Sequence, residues 1–337
     1  DIAQISIFVA PQNDKPEITV SSASSTLDED ASLTFDSDGG ANSISLSDVD
    51  SAGSEVMDVS LSVENGTLDL ASINNLTVLS GADNTGSISV RGTLPDLSTA
   101  MEGLVYSPYE NYNGSDSLNL SLNDRGNTGS GGKLSDSQTV SLNISAVNDA
   151  PVALIDTNST SENASASGNV LSNDTDIDVA DTHTVTQVNG ESADVGQNVP
   201  GSNGGSFTVN TDGSYTFDPG VDFNDLAVGE RRTTTITYTG TDPHGSRDSA
   251  TLTAEVVGVN DGPNYTGETS LTTEEDSVGE LTLAGTDVDR DTLTYSVVAD
   301  PNHGSADISD NTLTYTPDAD YNGEDSLDVQ VSDGNGG

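Results

Sequence analysis

Tyr106-Ser-Pro108, Tyr112-Asn-Gly-Ser-Asp116-Ser-Leu118-Asn-Leu120-Ser-Leu122 and Asp124 recur 209 residues later as Tyr315-Thr-Pro317, Tyr321-Asn-Gly-Glu-Asp325-Ser-Leu327-Asp-Val329-Gln-Val331 and Asp333. A constant offset over such a span means that two parts of the chain share one fold. Each copy ends with apolar residues at every second position, the period of a strand with one buried face. Val140, Leu142 and Ile144 alternate in the same way, as do Leu252, Ala254 and Val256. The stretch predicts half-buried strands and an all-β fold.

Working outward, three Asn-Asp-x-Pro linkers punctuate the chain: Asn13-Asp14-Lys15-Pro16, Asn148-Asp149-Ala150-Pro151 and Asn260-Asp261-Gly262-Pro263. They divide it into residues 1–15 (the last strand of a preceding repeat plus linker), 16–150, 151–262 and 263–337. The middle unit carries a variant, Tyr215-Thr-Phe217-Asp-Pro219 then Gly229-Glu230-Arg231, but reaches an equivalent aspartate, Asp242, before its linker. A length of 337 residues points independently to several domains, at about 100 to 200 residues each. Phe207-Thr-Val209 and Tyr215-Thr-Phe217 flank Asp212-Gly213, a tight hairpin signal because glycine accepts positive φ without steric cost. Residues 95–103 predict one short helical element: proline opens it, Leu97, Ala100 and Met101 share a face, and Gly103 closes it. Short strands separated by Gly, Asn and Asp turns read as tandem antiparallel Greek-key β-sandwiches.

The repeats are out of phase with the chain. Only four residues follow Asp333, so the third unit is expected to lack its last strand, and residues 2–9, with Ile5, Ile7 and Val9 alternating, stand where such a strand belongs. Strand exchange with another copy and simple truncation both explain this.

Acidic residues number 56 against 8 basic ones, giving a net charge of -48. That field repels phosphate backbones and anionic headgroups, excluding nucleic-acid binding and unassisted docking on an anionic membrane. No apolar run approaches the ~20 residues of a spanning helix, so direct membrane insertion is not expected. Without cysteine there is neither a disulfide framework nor a thiolate metal site. Leu, Ile, Val and Phe make up 22% of the chain, close to the ~20% below which charged chains stay disordered. The core must be thin, and something has to offset the charge. Asp outnumbers Glu by 41 to 15; aspartate favours turns and offers a hard oxygen close to the backbone, as calcium requires.

Catalysis finds little support, and no enzyme is expected. His183, His244 and His303 read as isolated loop residues, without an H-E-x-x-H pair or a G-x-S-x-G elbow. Residues 126–134 fall short of a phosphate loop, with Asn127 at the first glycine position and Leu134 where Ser or Thr would hold magnesium.

Acidic clusters occupy matching places instead. Asp48-Val-Asp50, Asp174-Thr-Asp176-Ile-Asp178 and Asp287-Val-Asp289-Arg-Asp291 follow each linker, and each unit opens with Asp28-Glu29-Asp30, Glu162-Asn163 or Glu274-Glu275-Asp276. Alternate carboxylates in an extended loop can converge on one hard cation. None is an EF-hand, because the glycine and the distal glutamate are missing.

Together, the alternating strands, early Glu, Asp-x-Asp, strand-end Asp and Asn-Asp-x-Pro linker resemble bacterial cadherin-like repeats, with a middle unit similar to the VCBS-type repeats of giant secreted RTX-type adhesins. The resemblance implies cadherin/Ig-like sandwiches joined end to end as a rod, with several Ca2+ ions at the junctions. It assigns Asn13, Asp14, Asp48, Asp50 and Asp124 to the Pro16 junction. It assigns Glu29, Asn148, Asp149, Asp176, Asp178 and Asp242 to the Pro151 junction, and Glu162, Asn260, Asp261, Asp287, Asp289 and Asp333 to the Pro263 junction. The linkers depart from the cadherin pattern, having Val147 or Val259 before and Ala150 or Gly262 after, which implies one or two ions per junction rather than three. The implied role is a calcium-rigidified extender of a bacterial surface or secreted protein, in contact with neighbouring repeats of the same chain. Alternatives are a sugar- or peptide-binding module and a spacer domain of a secreted hydrolase.

Overall fold

From the strand Gly114–Asn123, Leu118, Leu120 and Leu122 enter the first core, each no more than 3% exposed, while the Ser and Asn between them face outward. Alternation has become a sheet with one dry face. The computed structural model describes residues 2–36, 40–126 and 129–336. Asn127, compared above with a phosphate-loop glycine, lies outside the described residues. The chain divides into two compact units, Asp1–Asn148 and Asp149–Gly337.

In the first unit a six-stranded sheet runs in the order Ser24–Asp28, Ser135–Ser145, Gly114–Asn123, Val56–Ser62, Ser87–Thr93, Thr77–Gly81. A three-stranded sheet, Leu33–Phe35, Leu104–Pro108 and Gly66–Asp69, and the pair Glu17–Val20 with Ile44–Ser47 complete it. One hydrophobic cluster, including Phe35, Met57, Leu68, Leu97, Tyr106 and Leu118, holds these layers together. The helix spans Leu94–Met101, with the Thr93 hydroxyl accepting the Asp96 N–H and Leu97, Ala100 and Met101 buried. Gly103, at φ +96°, lets the chain turn directly into Leu104–Pro108, a conformation other residues reach only under strain.

The second unit contains two sets of sheets. Residues 151–258 form a four-stranded sheet, Asp156–Ser161, Arg247–Val257, Arg231–Thr241, Thr184–Val188, and a second one, Ala166–Asn169, Ser214–Asp218, Ser206–Val209, Asn198–Pro200. The expected hairpin is present: Phe207 pairs with Phe217 and Val209 with Tyr215, and Gly213 takes φ +81°. Phe207 and Phe217 pack with ring centroids 4.6 Å apart and planes tilted by 38°, inside a core separate from that of the first unit.

Residues 264–332 form Gly279–Thr282, Thr312–Pro317 and Gly304–Ser309 as one sheet, and Thr294–Ala299 with Asp328–Ser332 as another. Here Leu283 and Leu313 are the only fully buried hydrophobics among the described residues. Leu327, Val329 and Val331 are half-buried, although the positions matching them in the first unit are sealed.

One feature departs from an all-antiparallel pattern. The opening strand runs parallel to the final strand, Ser24–Asp28 beside Ser135–Ser145 and Asp156–Ser161 beside Arg247–Val257. No hairpin joins these strands, so turn geometry does not dictate their direction. Residues 2–9, expected as a strand, are in none: Ile5, Ile7 and Val9 are 81%, 82% and 84% exposed. Alternation alone does not make a strand where no neighbouring edge receives its hydrogen bonds.

Candidate metal centre

The linker around Pro263 collects the acidic residues of the second unit. The Val259 N–H donates to Glu162 Oε1 at 2.6 Å, and the Glu162 N–H donates to the Val257 carbonyl at 3.1 Å. The final strand therefore seats the early glutamate, which is 2% exposed. The Asn260 side-chain amide donates to Asp333 Oδ2 at 2.7 Å, and the Asp261 N–H donates to Asp289 Oδ2 at 2.9 Å. One carboxylate oxygen each from Asp287, Asp289 and Asp291 lies within 4.8 Å of the others. All six residues expected at this linker are thus gathered, and Asp291 joins them. It was legible as the third acid of the Asp-x-Asp-x-Asp alternation.

Oxygens without donors concentrate here. Glu162 Oε2, Asn260 Oδ1, Asp261 Oδ2, Asp287 Oδ2 and Asp289 Oδ1 are buried and have no hydrogen-bond partner. Burying such atoms unpaired costs several kcal/mol each in an apolar reference, and native proteins rarely tolerate it. Burial raises the Glu162 pKa, the Val259 N–H opposes this, and the Asp261, Asp289 and Asp225 charges raise it further. Arg290, between two of the acids, is no counterion for them: its side chain is 80% exposed and reaches Asp225 at 3.9 Å. Asp225 is also held by Arg232 at 3.0 Å. It was not anticipated, because nothing in its local sequence ties it to a site 63 residues from Glu162. The donor set, carboxylates and one amide carbonyl, fits a hard divalent cation of the Ca2+ type.

Within the first unit the Pro16 linker repeats the same contacts. The Asn13 amide donates to Asp124 Oδ2 at 2.6 Å, and the Asp14 N–H donates to Asp50 Oδ2 at 2.5 Å. Asp50 N–H in turn donates to Asp48 Oδ1 at 2.8 Å. Asp48 has a raised pKa, first from burial and then from the Asp50 and Asp124 charges, against backbone N–H donors that lower it. Asp124 is 2% exposed and accepts the Gly126 and Leu134 N–H groups on its other oxygen.

Residues assigned to the Pro151 junction are arranged alike, each half within its own unit. In the first unit Glu29 is 3% exposed; its Oε1 accepts Val147 N–H at 2.7 Å and its Oε2 the Asn113 amide at 3.0 Å. Asn148 follows in the same linker. In the second, the Asp149 N–H donates to Asp178 Oδ2 at 2.9 Å, and Asp178 N–H to Asp176 Oδ1 at 3.0 Å. Asp176, Asp181 and Asp242 bring carboxylate oxygens within 4.8 Å of one another. Asp181 was missed; it lies outside the Asp-x-Asp run, and folding brings it in.

The histidines are not isolated, contrary to the sequence reading. His183 Nε2 lies 3.0 Å from Asp176 Oδ2 and His244 Nδ1 3.2 Å from Asp181 Oδ2, while the His303 ring stacks on Tyr321 at 4.2 Å. Spacing along the chain could not reveal partners supplied by loop closure.

Residues 148–258 match the family model of the bacterial cadherin-like domain, and residues 260–337 match that of the bacterial Ig domain. Residues 148–258 thus carry a bacterial cadherin-like domain and residues 260–337 a bacterial Ig domain. Domains of these classes are extracellular adhesion or extender modules, and no enzymatic family is indicated. No curated protein matches the chain. Similar solved structures include the protocadherin gammaB7 EC3-6 cis-dimer (20% identity, TM-score 0.44, covering 95% of this chain and 74% of that one). Mouse cadherin-23 EC22-24 is also similar (15% identity, TM-score 0.43, covering 92% and 91%). Among the described residues no helix is long and apolar enough to cross a membrane.

Proposed function

We propose that this chain is a calcium-rigidified extender segment of a large bacterial surface or secreted adhesin, holding a distal adhesive region away from the cell. The observation that carries this reading is the set of five buried, donorless oxygens around Pro263. Glu162, Asn260, Asp261, Asp287, Asp289, Asp291 and Asp333 would hold Ca2+ there. The repeated contacts support the same role for Asn13, Asp14, Asp48, Asp50 and Asp124 and, each within its own unit, for Glu29 and Asn148 and for Asp149, Asp176, Asp178 and Asp242. A bound divalent ion supplies positive charge that offsets clustered carboxylates. Because its ligands come from a strand end, a linker and the following loops, bending the linker would separate them, so a loaded array resists bending and reaches outward as a rod.

Calcium titration calorimetry combined with small-angle scattering on the whole chain tests the reading. Saturable binding with a longer maximum dimension in calcium than in chelator is expected. No binding, or the same dimension in both, overturns it.

A further inference from the structure

Tyr238 is 1% exposed, and its hydroxyl is surrounded by oxygen. The carbonyls of Leu154 and Val170 lie at 2.9 Å, and the carboxylate oxygens of Asp174 at 3.0 and 3.2 Å. A phenol carries one hydrogen, so it serves one of these acceptors well and leaves the others short. Two further oxygens nearby are in the same condition. Asp156 Oδ2 and Asn173 Oδ1 belong to half-buried side chains, yet both atoms are sealed from solvent and neither has a hydrogen-bond partner. Backbone contacts hold the two segments together: the Asn173 amide donates to the Ile155 carbonyl at 3.2 Å, and the Leu154 N–H donates to Asp174 Oδ1 at 2.8 Å. Burial raises the Tyr238 pKa, and the Asp174 and Asp156 charges raise it further, so both acids act on this hydroxyl. Among the described residues no Lys, Arg or His forms an ion pair with either acid. Buried acceptors and carboxylates without a donor or counterion are costly, and folded proteins rarely keep them.

The set is private to the middle repeat, residues 151–262. All three repeats share one plan at the linker, where the Asp14, Asp149 and Asp261 N–H groups donate to Asp50, Asp178 and Asp289. Counting back from those acceptors puts Leu46 and Gly285 where the middle repeat has Asp174, and Ser45 and Ala284 where it has Asn173. Counting on from the linker prolines puts Ser21 and Glu268 at the place of Asp156, and counting back from Asp124 and Asp333 puts Leu120 and Val329 at that of Tyr238. The sandwich therefore folds without this set elsewhere in the chain, and packing alone does not call for it. It is also distinct from the neighbouring trio Asp176, Asp181 and Asp242.

We propose that Asp156, Asn173 and Asp174 hold a divalent cation of the Ca2+ type inside the middle repeat, against Tyr238 and apart from the linker sites. Carboxylate, amide and main-chain carbonyl oxygens are the donors such an ion takes, and two carboxylates balance its charge. With the acids turned to the ion, the single Tyr238 hydrogen serves the Leu154 or the Val170 carbonyl. The ion would join the start of the strand Asp156–Ser161, the loop at 173–174 and the strand Arg231–Thr241, stiffening the repeat itself. This site does not depend on calcium at the linkers.

Equilibrium dialysis of the whole chain against calcium counts the ions. Asp156→Asn and Asp174→Asn should each bind one calcium fewer than the parent, and Asp156→Asn should remove one ion from an Asp289→Asn chain as well. If the linkers bind none, the parent still holds the ion that Asp156→Asn removes, so the two readings fail separately. Asp156→Asn should melt no lower than the parent in chelator, which keeps a lost ion distinct from lost folding. The chain has no tryptophan, so terbium luminescence excited through tyrosine reports an ion beside a tyrosine. Tyr238→Phe should cut the Asp156-dependent part of that signal several-fold while leaving the calcium count unchanged. Equal counts in the parent and both Asn variants overturn the site and leave a shared proton to satisfy the cluster. A lower count with terbium emission that does not respond to Tyr238→Phe overturns its location.

Discussion

The Asn260 amide and the Asp333 carboxylate meet at 2.7 Å across 73 residues, and Asn13 meets Asp124 in the same way at 2.6 Å across 111. In each case a linker asparagine grips the aspartate that ends a strand of the following unit. At Asn260 the amide donates to that carboxylate while the buried carbonyl oxygen beside it has no hydrogen-bond partner.

Melting of the whole chain should rise with calcium. A ligand binding only the folded state adds about 2.7 kcal/mol per site at a hundredfold excess over Kd, and about 2–4 °C follows from each kcal/mol in units of 150–250 residues. Each filled site should therefore raise Tm by roughly 5–10 °C. Scanning calorimetry in millimolar calcium against chelator measures it, and identical traces would refute calcium binding.

Asp289→Asn should reverse its effect with the ion. In chelator it removes one of several uncompensated carboxylates and should stabilise the second unit by about 0.5–1 kcal/mol. In calcium it removes a ligand and should cost about 2–3 kcal/mol. Asp50→Asn, in the first unit, should leave the second unit's response unchanged, because separated sites add. Denaturant melts under both conditions decide this; a change of one sign in both conditions would count against the ligand role.

Tyr106→Phe and Tyr315→Phe remove the same hydroxyl from two copies of one motif. Tyr106, fully buried, donates to Asp116 at 3.0 Å, and Asp116 also accepts the Glu64, Asn65 and Ser117 N–H groups. Tyr315 repeats this with Asp325 at the open sandwich, where neither residue is fully buried. Loss of the buried bond should cost about 1–2 kcal/mol and loss of the half-exposed one less than ~0.5 kcal/mol. Equal costs in urea melts would show that burial is not what separates the two copies.

Asp156 gives the chelated protein a pH dependence of definite sign. Burial pushes its carboxyl up to about 6; the Tyr238 hydrogen bond opposes this, and the Asp174 charge adds to it. The native state therefore holds a proton that the unfolded chain releases near pH ~4. Stability from this group is full below that value, falls as pH climbs towards about 6, and is flat above. Asp156→Asn should remove this slope and raise Tm at neutral pH relative to the parent; an unchanged slope between pH 4 and 6 would rule Asp156 out as its source.

Strands, hairpin and helix were legible because their causes are local. Alternation at Leu118, Leu120 and Leu122, positive φ at Gly213, and a proline-opened, glycine-closed face at Leu97, Ala100 and Met101 each act over a few residues. Residues 2–9 carry the same alternation yet form no strand, since a strand also needs an edge to pair with.

The sequence by itself determined the repeated units, the thin core and the placing of acids at each linker, because periodicity, turn chemistry and charge belong to neighbouring residues. Only the tertiary structure decided which oxygens end without a donor. Glu162 is held by a final strand about 90 residues away, Asp291 and Asp181 are drawn in by loop closure, and Arg290 turns outward to Asp225. Those outcomes depend on which backbone N–H groups reach each carboxylate once the sheets have packed, and no local pattern encodes that.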